Sequence, residues 1–183
     1  MNKFDELLAL NSKLDSVLDD MKKVNNHLEN ELKAKRDTEQ KKMFDDVDVL
    51  RRYMIAIGMR NNQLVLNTGI KSPFENKVFS LDVSTNTTAV GLGVIDVNNC
   101  KNRYFYRWFS KNEPIAELDP RWIDTNTIEY MFTIMKNWNS AYANMKDDLF
   151  DKIKDFMETK ASEVVKKQSE LITALEAFDE RGN

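Results

Sequence analysis

Residues 7–28 read LLALNSKLDSVLDDMKKVNNHL, and the spacing of their apolar side chains decides how the chain is built. Leu7, Leu10, Leu14, Val17, Met21, Val24 and Leu28 follow one another in alternating steps of three and four. On a helix that rhythm gathers all seven on one narrow stripe. It is the seam of a coiled coil, and the set expected to carry self-association. The stripe slips by one residue at Leu32, a stutter, and gives way to the polar run Lys33–Lys42, KAKRDTEQKK. It resumes at Met43, Val47, Leu50, Met54 and Ile57. Asn2 is placed to cap the start, with Asp5 and Glu6 favourable in the first turn. Gly58 suits the left-handed residue that ends a helix, with Met59 packing back on Met54. Residues 1–58 therefore read as one long helix of coiled-coil type.

The far end of the chain mirrors this. Asp119-Pro120 is one possible start, and Asn126 with Glu129, a capping box, is another. Ile128, Met131, Met135, Trp138, Tyr142, Met145 and Leu149 then recur every three or four residues, and a looser apolar series continues to Phe178. Asn137 or Asn139-Ser140 can bend or break the helix, so residues 119–183 read as a long helix or a helix pair. No glycine falls within 1–57 or 121–181, and Pro73, Pro114 and Pro120 lie between the flanks or at their edge. Each flank runs to about 55 residues, or about 80 Å if fully helical. Their match in length predicts a hairpin with Leu7 near Leu175 and Ile57 near Asn126. The rival arrangement pairs each helix with a second copy of the chain.

Residues 59–118 change rhythm. Gln63–Asn67, Lys77–Val83, Thr88–Val97 and Arg103–Phe109 are strand candidates, and Ser84–Thr87 and Asn98–Asn102 are short polar turns. Phe79, Leu81 and Val83 share one face of their strand, as do Val90, Leu92 and Val94. The fold expected is α+β: two long coiled-coil-type helices flanking a small antiparallel meander of three or four strands.

Charge narrows the partners. The chain is −3 overall, so attraction of the whole molecule to nucleic acid is not expected. Residues 60–111 carry seven Lys or Arg and three acids, a local +4, which leaves −7 on the flanks and favours an acidic partner for the middle. The single cysteine, Cys100, excludes an intrachain disulfide, and no apolar run approaches a membrane span. The first ten residues do not resemble a signal peptide, which predicts a protein of the cytoplasm or of a host's cytoplasm.

No residue set reads as catalytic. The one histidine, His27, lies within the first helix without a second ligand at metal spacing, and no metal or cofactor is expected. Asp19-Asp20, Asp45-Asp46 and Asp147-Asp148 are neighbours on helices, where adjacent side chains diverge. Gly91-Leu92-Gly93 lacks the third glycine and the strand-to-helix junction of a dinucleotide site; close approach of another backbone or side chain to that sheet face explains it better, and a helix resting there would suffice. The Lys33–Lys42 run reads as a solvated stretch or as a contact for an acidic or nucleic-acid partner.

The segment Arg103-Tyr104-Phe105-Tyr106-Arg107-Trp108-Phe109, with Lys101 just before it, is the candidate recognition surface. Strict alternation puts Tyr104, Tyr106 and Trp108 on one face and Arg103, Phe105, Arg107 and Phe109 on the other. One face belongs to the core. The other presents aromatic and basic groups of the kind that anchor protein interfaces or stack single-stranded bases. These features predict a non-enzymatic oligomeric binding or assembly protein that recognises another protein through its β head. The small size and Asn/Lys/Asp-rich character suit a phage or mobile-element component. A nucleic-acid-binding module is the alternative. The expected architecture, a helical hairpin carrying β-hairpins, resembles prefoldin-type chaperone subunits, and this resemblance of shape implies a chaperone or inhibitor role as a further alternative.

Overall fold

A computed structural model describes residues 2–98 and 103–179 of the chain. Among them are three helices and a four-stranded antiparallel sheet. α1 spans Lys3–Ala56 and opens on a capping box: Asn2 Oδ1 accepts from the Phe4 N–H while Asp5 reaches back to the Asn2 N–H. It closes at Gly58, whose φ of 85° lies in the left-handed region, and the Met59 N–H returns to the Met54 carbonyl. Both methionines are buried there, as their order in the sequence implies.

β1 (Gln63–Lys71), β2 (Lys77–Ser84), β3 (Val90–Asp96) and β4 (Arg103–Phe109) form a meander in the order β1-β2-β3-β4. The register sets Leu66, Leu81 and Leu92 side by side, with Val83 beside Val90 and Phe79 beside Val94. This face meets Met43, Phe44, Val47, Leu50 and Met54 of α1 and forms one core with them. Arg51, buried on the same stretch of α1, donates from Nε to the Ser84 carbonyl and from a terminal nitrogen to that of Ala89, so the β2–β3 turn is tied to the helix.

α2 (Thr125–Lys136) starts on an Asp124 cap rather than at Asp119 or Asn126. The chain breaks at Asn137, and α3 (Trp138–Asp179) follows at once. α2 contributes Ile128, Met131 and Met135 to the core, and α3 contributes Trp138, Met145 and Leu149. α3 also closes the outer edge of β1: Asp148 accepts from the Asn67 N–H at 2.8 Å and Asn144 donates to the Thr68 carbonyl at 3.3 Å.

The expected helical hairpin is absent. Lys42 of α1 reaches Asn139, Asp46 accepts from Trp138 Nε1 at 2.7 Å, and Gly58 at the end of α1 lies beside the Lys160 ammonium. Advancing along α1 thus advances along α3, so the two run parallel where they meet. The end of α1 thus meets residue 160 of α3, not Asn126, and Leu7 is exposed. The cause is the sheet, which lies between α1 and the later helices in sequence. It returns the chain to the middle of α1, where Arg36 stacks on Phe132 at 3.9 Å, instead of to its end. The hairpin that carried the likeness to prefoldin subunits goes with it.

The polar run Lys33–Lys42 is neither a bare solvated stretch nor a free patch. Lys33 pairs with Glu117, and Gln40 is buried. The Gln40 amide donates to the Glu113 carbonyl at 2.7 Å and accepts from the Ile115 N–H at 3.1 Å. This docks the 3₁₀ turn Ile115–Glu117 on α1. The apolar stripe is interrupted because a segment of backbone, not a side-chain layer, packs there.

Candidate functional site

Three regions stand apart from the core: the second face of the sheet with its β4 edge, the first thirty residues of α1, and α3 beyond Phe156, where Met157, Val164, Val165, Leu171, Ile172 and Leu175 are exposed.

On the second face the register aligns Val65 with Asp82, Asp82 with Gly91 and Gly91 with Trp108. Its buried apolar pair, Val78 and Ile95, stands outside the main core. The middle strands offer small or polar side chains here, Ser80, Asp82, Gly91 and Gly93, and the edge strands lean over them. An ideal Cβ on Gly91 would lie 2.8 Å from Asp82 Cβ and 3.0 Å from Cε2 of Phe105, so the Phe105 ring lies across the glycine. The close approach expected at these glycines is real, but edge-strand side chains make it, not a helix.

Asp82 sits under that cover, fully buried. Its Oδ2 accepts from Gln63 Nε2 of β1 at 2.6 Å and from the Arg103 guanidinium of β4, which passes over the glycines of β3. Oδ1 of Asp82 and the Ser80 hydroxyl have no hydrogen-bond partner. Burial drives the Asp82 carboxyl above the ordinary carboxylate range, against the opposing pull of Arg103 and Gln63. Sequence reasoning missed Asp82 and Gln63. The available signal was an acidic residue on the strand face away from Phe79, Leu81 and Val83, opposite a glycine.

The strict alternation expected for Arg103–Phe109 is broken. The register with β3 shifts between Leu92 and Gly93, so Tyr106 is a bulge without a partner residue. Arg103, Phe105 and Trp108 therefore share the second face. Tyr104, Arg107 and Phe109 turn to the helix side. Tyr106 packs its ring 5.5 Å from Tyr130 of α2, and burial raises its phenol above the usual range. The bulge exists because β4 must satisfy two surfaces: Phe109 is fully buried in the core, while Phe105 must lie over Gly91.

The expected contact residues thus divide. Phe105 and Trp108 form a pair with ring centroids 5.9 Å apart, Phe105 exposed and Trp108 half-buried. Tyr104 is exposed beneath the Lys77 ammonium, 4.6 Å from its ring. Arg103 is committed to Asp82, and Arg107 to Glu113 at 2.5 Å. Beside β4, a cleft of about 600 Å³ is lined by Tyr106, Arg107, Glu113, Leu118, Trp122 and Thr127, among others. The nearly fully exposed Trp122 at its rim was not foreseen. Lys101 and Cys100 lie outside the described residues.

The carboxylate pairs are dispersed into structural roles. Asp46 holds Trp138, Asp45 holds Lys111, and Asp148 holds β1 and Lys152. His27 is exposed on α1 beside Glu31. Among the described residues no three His, Cys, Asp or Glu side chains converge, and no helix is long and apolar enough to cross a membrane.

The first part of α1 is uncovered. Leu7, Leu10, Leu14, Val17, Met21, Val24 and Leu28 are each between 54% and 64% exposed, and Phe4, Leu8, Leu18 and Leu32 are also exposed. The first burial along α1 begins at Arg36. No family model matches the chain, and no curated protein or solved structure matches it.

Proposed function

We propose that the protein is a non-enzymatic, oligomeric binding or assembly protein. Its α1 arm, residues 3–32, joins copies as a strand of a coiled coil, and the β4 side of its sheet takes a protein partner. One observation carries the reading: seven apolar side chains in coiled-coil spacing remain more than half exposed on a helix whose own continuation, Met43 to Met54, is covered by the core. An uncovered apolar stripe of this length marks an interaction surface. Phe105 with Trp108, Tyr104 and the rim residue Trp122 supply the aromatic groups that anchor interfaces. Arg103 and Arg107 each hold an acid of their own chain, which leaves them poorly placed to neutralise phosphates and favours protein over nucleic acid.

Light scattering of the full chain over a concentration series tests the first half. A mass that rises with concentration in the wild type, and stays at one chain for Leu14→Asp/Met21→Asp, is expected. A single-chain mass throughout would refute it. Affinity capture with mass spectrometry, run on the wild type and on Phe105→Ala/Trp108→Ala, tests the second half. Loss of a specific protein with the variant is expected. Capture of nucleic acid alone, released steeply by salt, would overturn the reading.

A further inference from the structure

We infer that the partner of the α1 arm is the arm of a second copy, lying antiparallel to it with Leu14 of each chain against Val17 of the other. The inference deepens the self-association proposed above and rests on it.

Charge fixes the orientation. The residues preceding Leu7, Leu14, Met21 and Leu28 are Glu6, Lys13, Asp20 and His27, and they flank the seam on one side. In this antiparallel pair, Lys13 faces Asp20 of the second copy and Asp20 faces its Lys13, while Glu6 and His27 face one another in the same reciprocal way. In a parallel pair the four would face Asn11, Leu18, Asn25 and Leu32, and no ion pair would form. Sliding the antiparallel pair by one heptad brings Asp20 against Asp20 in one direction. In the other it brings Lys13 against Lys13 and Glu6 against Asp20. Of these three registers, only the one centred between Leu14 and Val17 sets Lys13 against Asp20 in both directions with no like charges opposed.

The fold agrees with that register. Residue 3 of one copy then lies opposite residue 28 of the other, so the helix of each partner begins short of residue 33, where Lys33 meets Glu117 and the body begins. A parallel partner would have to continue past this point. There the apolar stripe, turned by only about 60° between Leu28 and Met43 at 100° per residue, is already filled by the sheet. The antiparallel pair also separates the two bodies. Residue 33 of each copy lies about 50 Å from its counterpart along the axis, at 1.5 Å per residue. The two β heads therefore face away from one another.

The test is sedimentation equilibrium of the full chain under reducing conditions: wild type, Lys13→Asp, Asp20→Lys, and an equimolar mixture of the two variants. Both substituted positions are exposed and outside the core, so folding is not at issue. Each variant alone turns both reciprocal ion pairs into repulsions and is expected to dimerise roughly tenfold more weakly than the wild type. The mixture is expected to restore wild-type affinity, because the two acids of the Lys13→Asp chain then meet the two lysines of the Asp20→Lys chain. Lys13 and Asp20 of a single chain lie about 10 Å apart along the helix, too far for restoration to arise within a chain. A wild type that dimerises while the variants are unaffected, or whose mixture is not restored, overturns the antiparallel pairing and leaves self-association standing. A wild type that stays monomeric overturns both.

Discussion

Replacing Gly91 by alanine probes the surface on which the proposed recognition site rests. The added methyl would lie 2.8 Å from Asp82 Cβ and 3.0 Å from Cε2 of Phe105. The two neighbours differ in freedom. Phe105 is 44% exposed and can swing outward, whereas Asp82 Cβ belongs to the directly paired residue of β2 and is fully buried. Relief of the second contact must come from the backbone, in the middle of the sheet. Overpacking of this kind destabilises by about 1–3 kcal/mol. Gly91 does not have a positive φ, so alanine also recovers about 0.4–1 kcal/mol by restricting the unfolded chain. The net expectation is a loss of about 1 kcal/mol, within the about 0–2.6 kcal/mol those two ranges span. Urea denaturation followed by circular dichroism and by tryptophan fluorescence would show it as a lowered midpoint with unchanged slope. Removing the ring as well, in Gly91→Ala/Phe105→Ala, should recover part of the loss, with a coupling of about 0.5–1 kcal/mol. Gly91→Ala at or above wild-type stability would refute the claim that Phe105 and Asp82 close over that glycine.

Gln40→Leu preserves volume but orphans the buried Ile115 N–H and the part-buried Glu113 carbonyl; at about 1–3 kcal/mol for the buried group it should lower stability by at least about 1 kcal/mol, and a change below about 0.5 kcal/mol in the same denaturation assay would sink the docking role assigned to it. Asp82 has a carboxyl pKa raised by burial, so between its unfolded value of 3.8 and the raised folded value the native state holds a proton that the unfolded state has released. Stability from this group is then full below 3.8 and lost as pH rises through the folded value. Asp82→Asn should therefore gain on the wild type as pH rises from 4 to 7, and a wild type that instead gains on the variant over that range would refute burial as the dominant influence. Phe105→Ala/Trp108→Ala should lose partner capture and stay folded, at a stability loss below the about 3–5 kcal/mol of a fully buried aromatic; a loss of that size or more would place the pair in the structural core.

Element types were legible because each rests on a short-range rule. The α1 cap at Asn2, its stop at Gly58, the break at Asn137 and the shared face of Phe79, Leu81 and Val83 follow from side-chain chemistry within a few residues. What failed to show in the sequence depends on partners far along the chain. The purpose of Gln40 becomes visible only when residues 113–115 are seen against it, 73 to 75 positions away. The parallel course of α1 and α3 is set by where the sheet returns the chain, and two apolar periodicities of equal length carry no information about that.

β4 is the instructive failure, because one residue changed the assignment of a whole surface. Period-two alternation over Arg103–Phe109 assumes an unbroken ladder. The glycines opposite were the sign that it would not hold. A strand facing Gly91 and Gly93 has no side chains to lean on and must fill that space with its own. Phe105 can cover Gly91 and Phe109 can reach the core only if an even number of positions becomes odd between them, and the bulge at Tyr106 supplies that residue. It also makes the proposed recognition surface less basic than the sequence suggests. The same shift that frees Phe105 and Trp108 brings Arg103 over the glycines to Asp82 and turns Arg107 to the other side, where Glu113 holds it. Under the proposed reading the aromatic pair is left to define a partner, with both arginines already paired inside the chain. That pairing is the reason the proposal names a protein surface for β4 and not the phosphates of a nucleic acid.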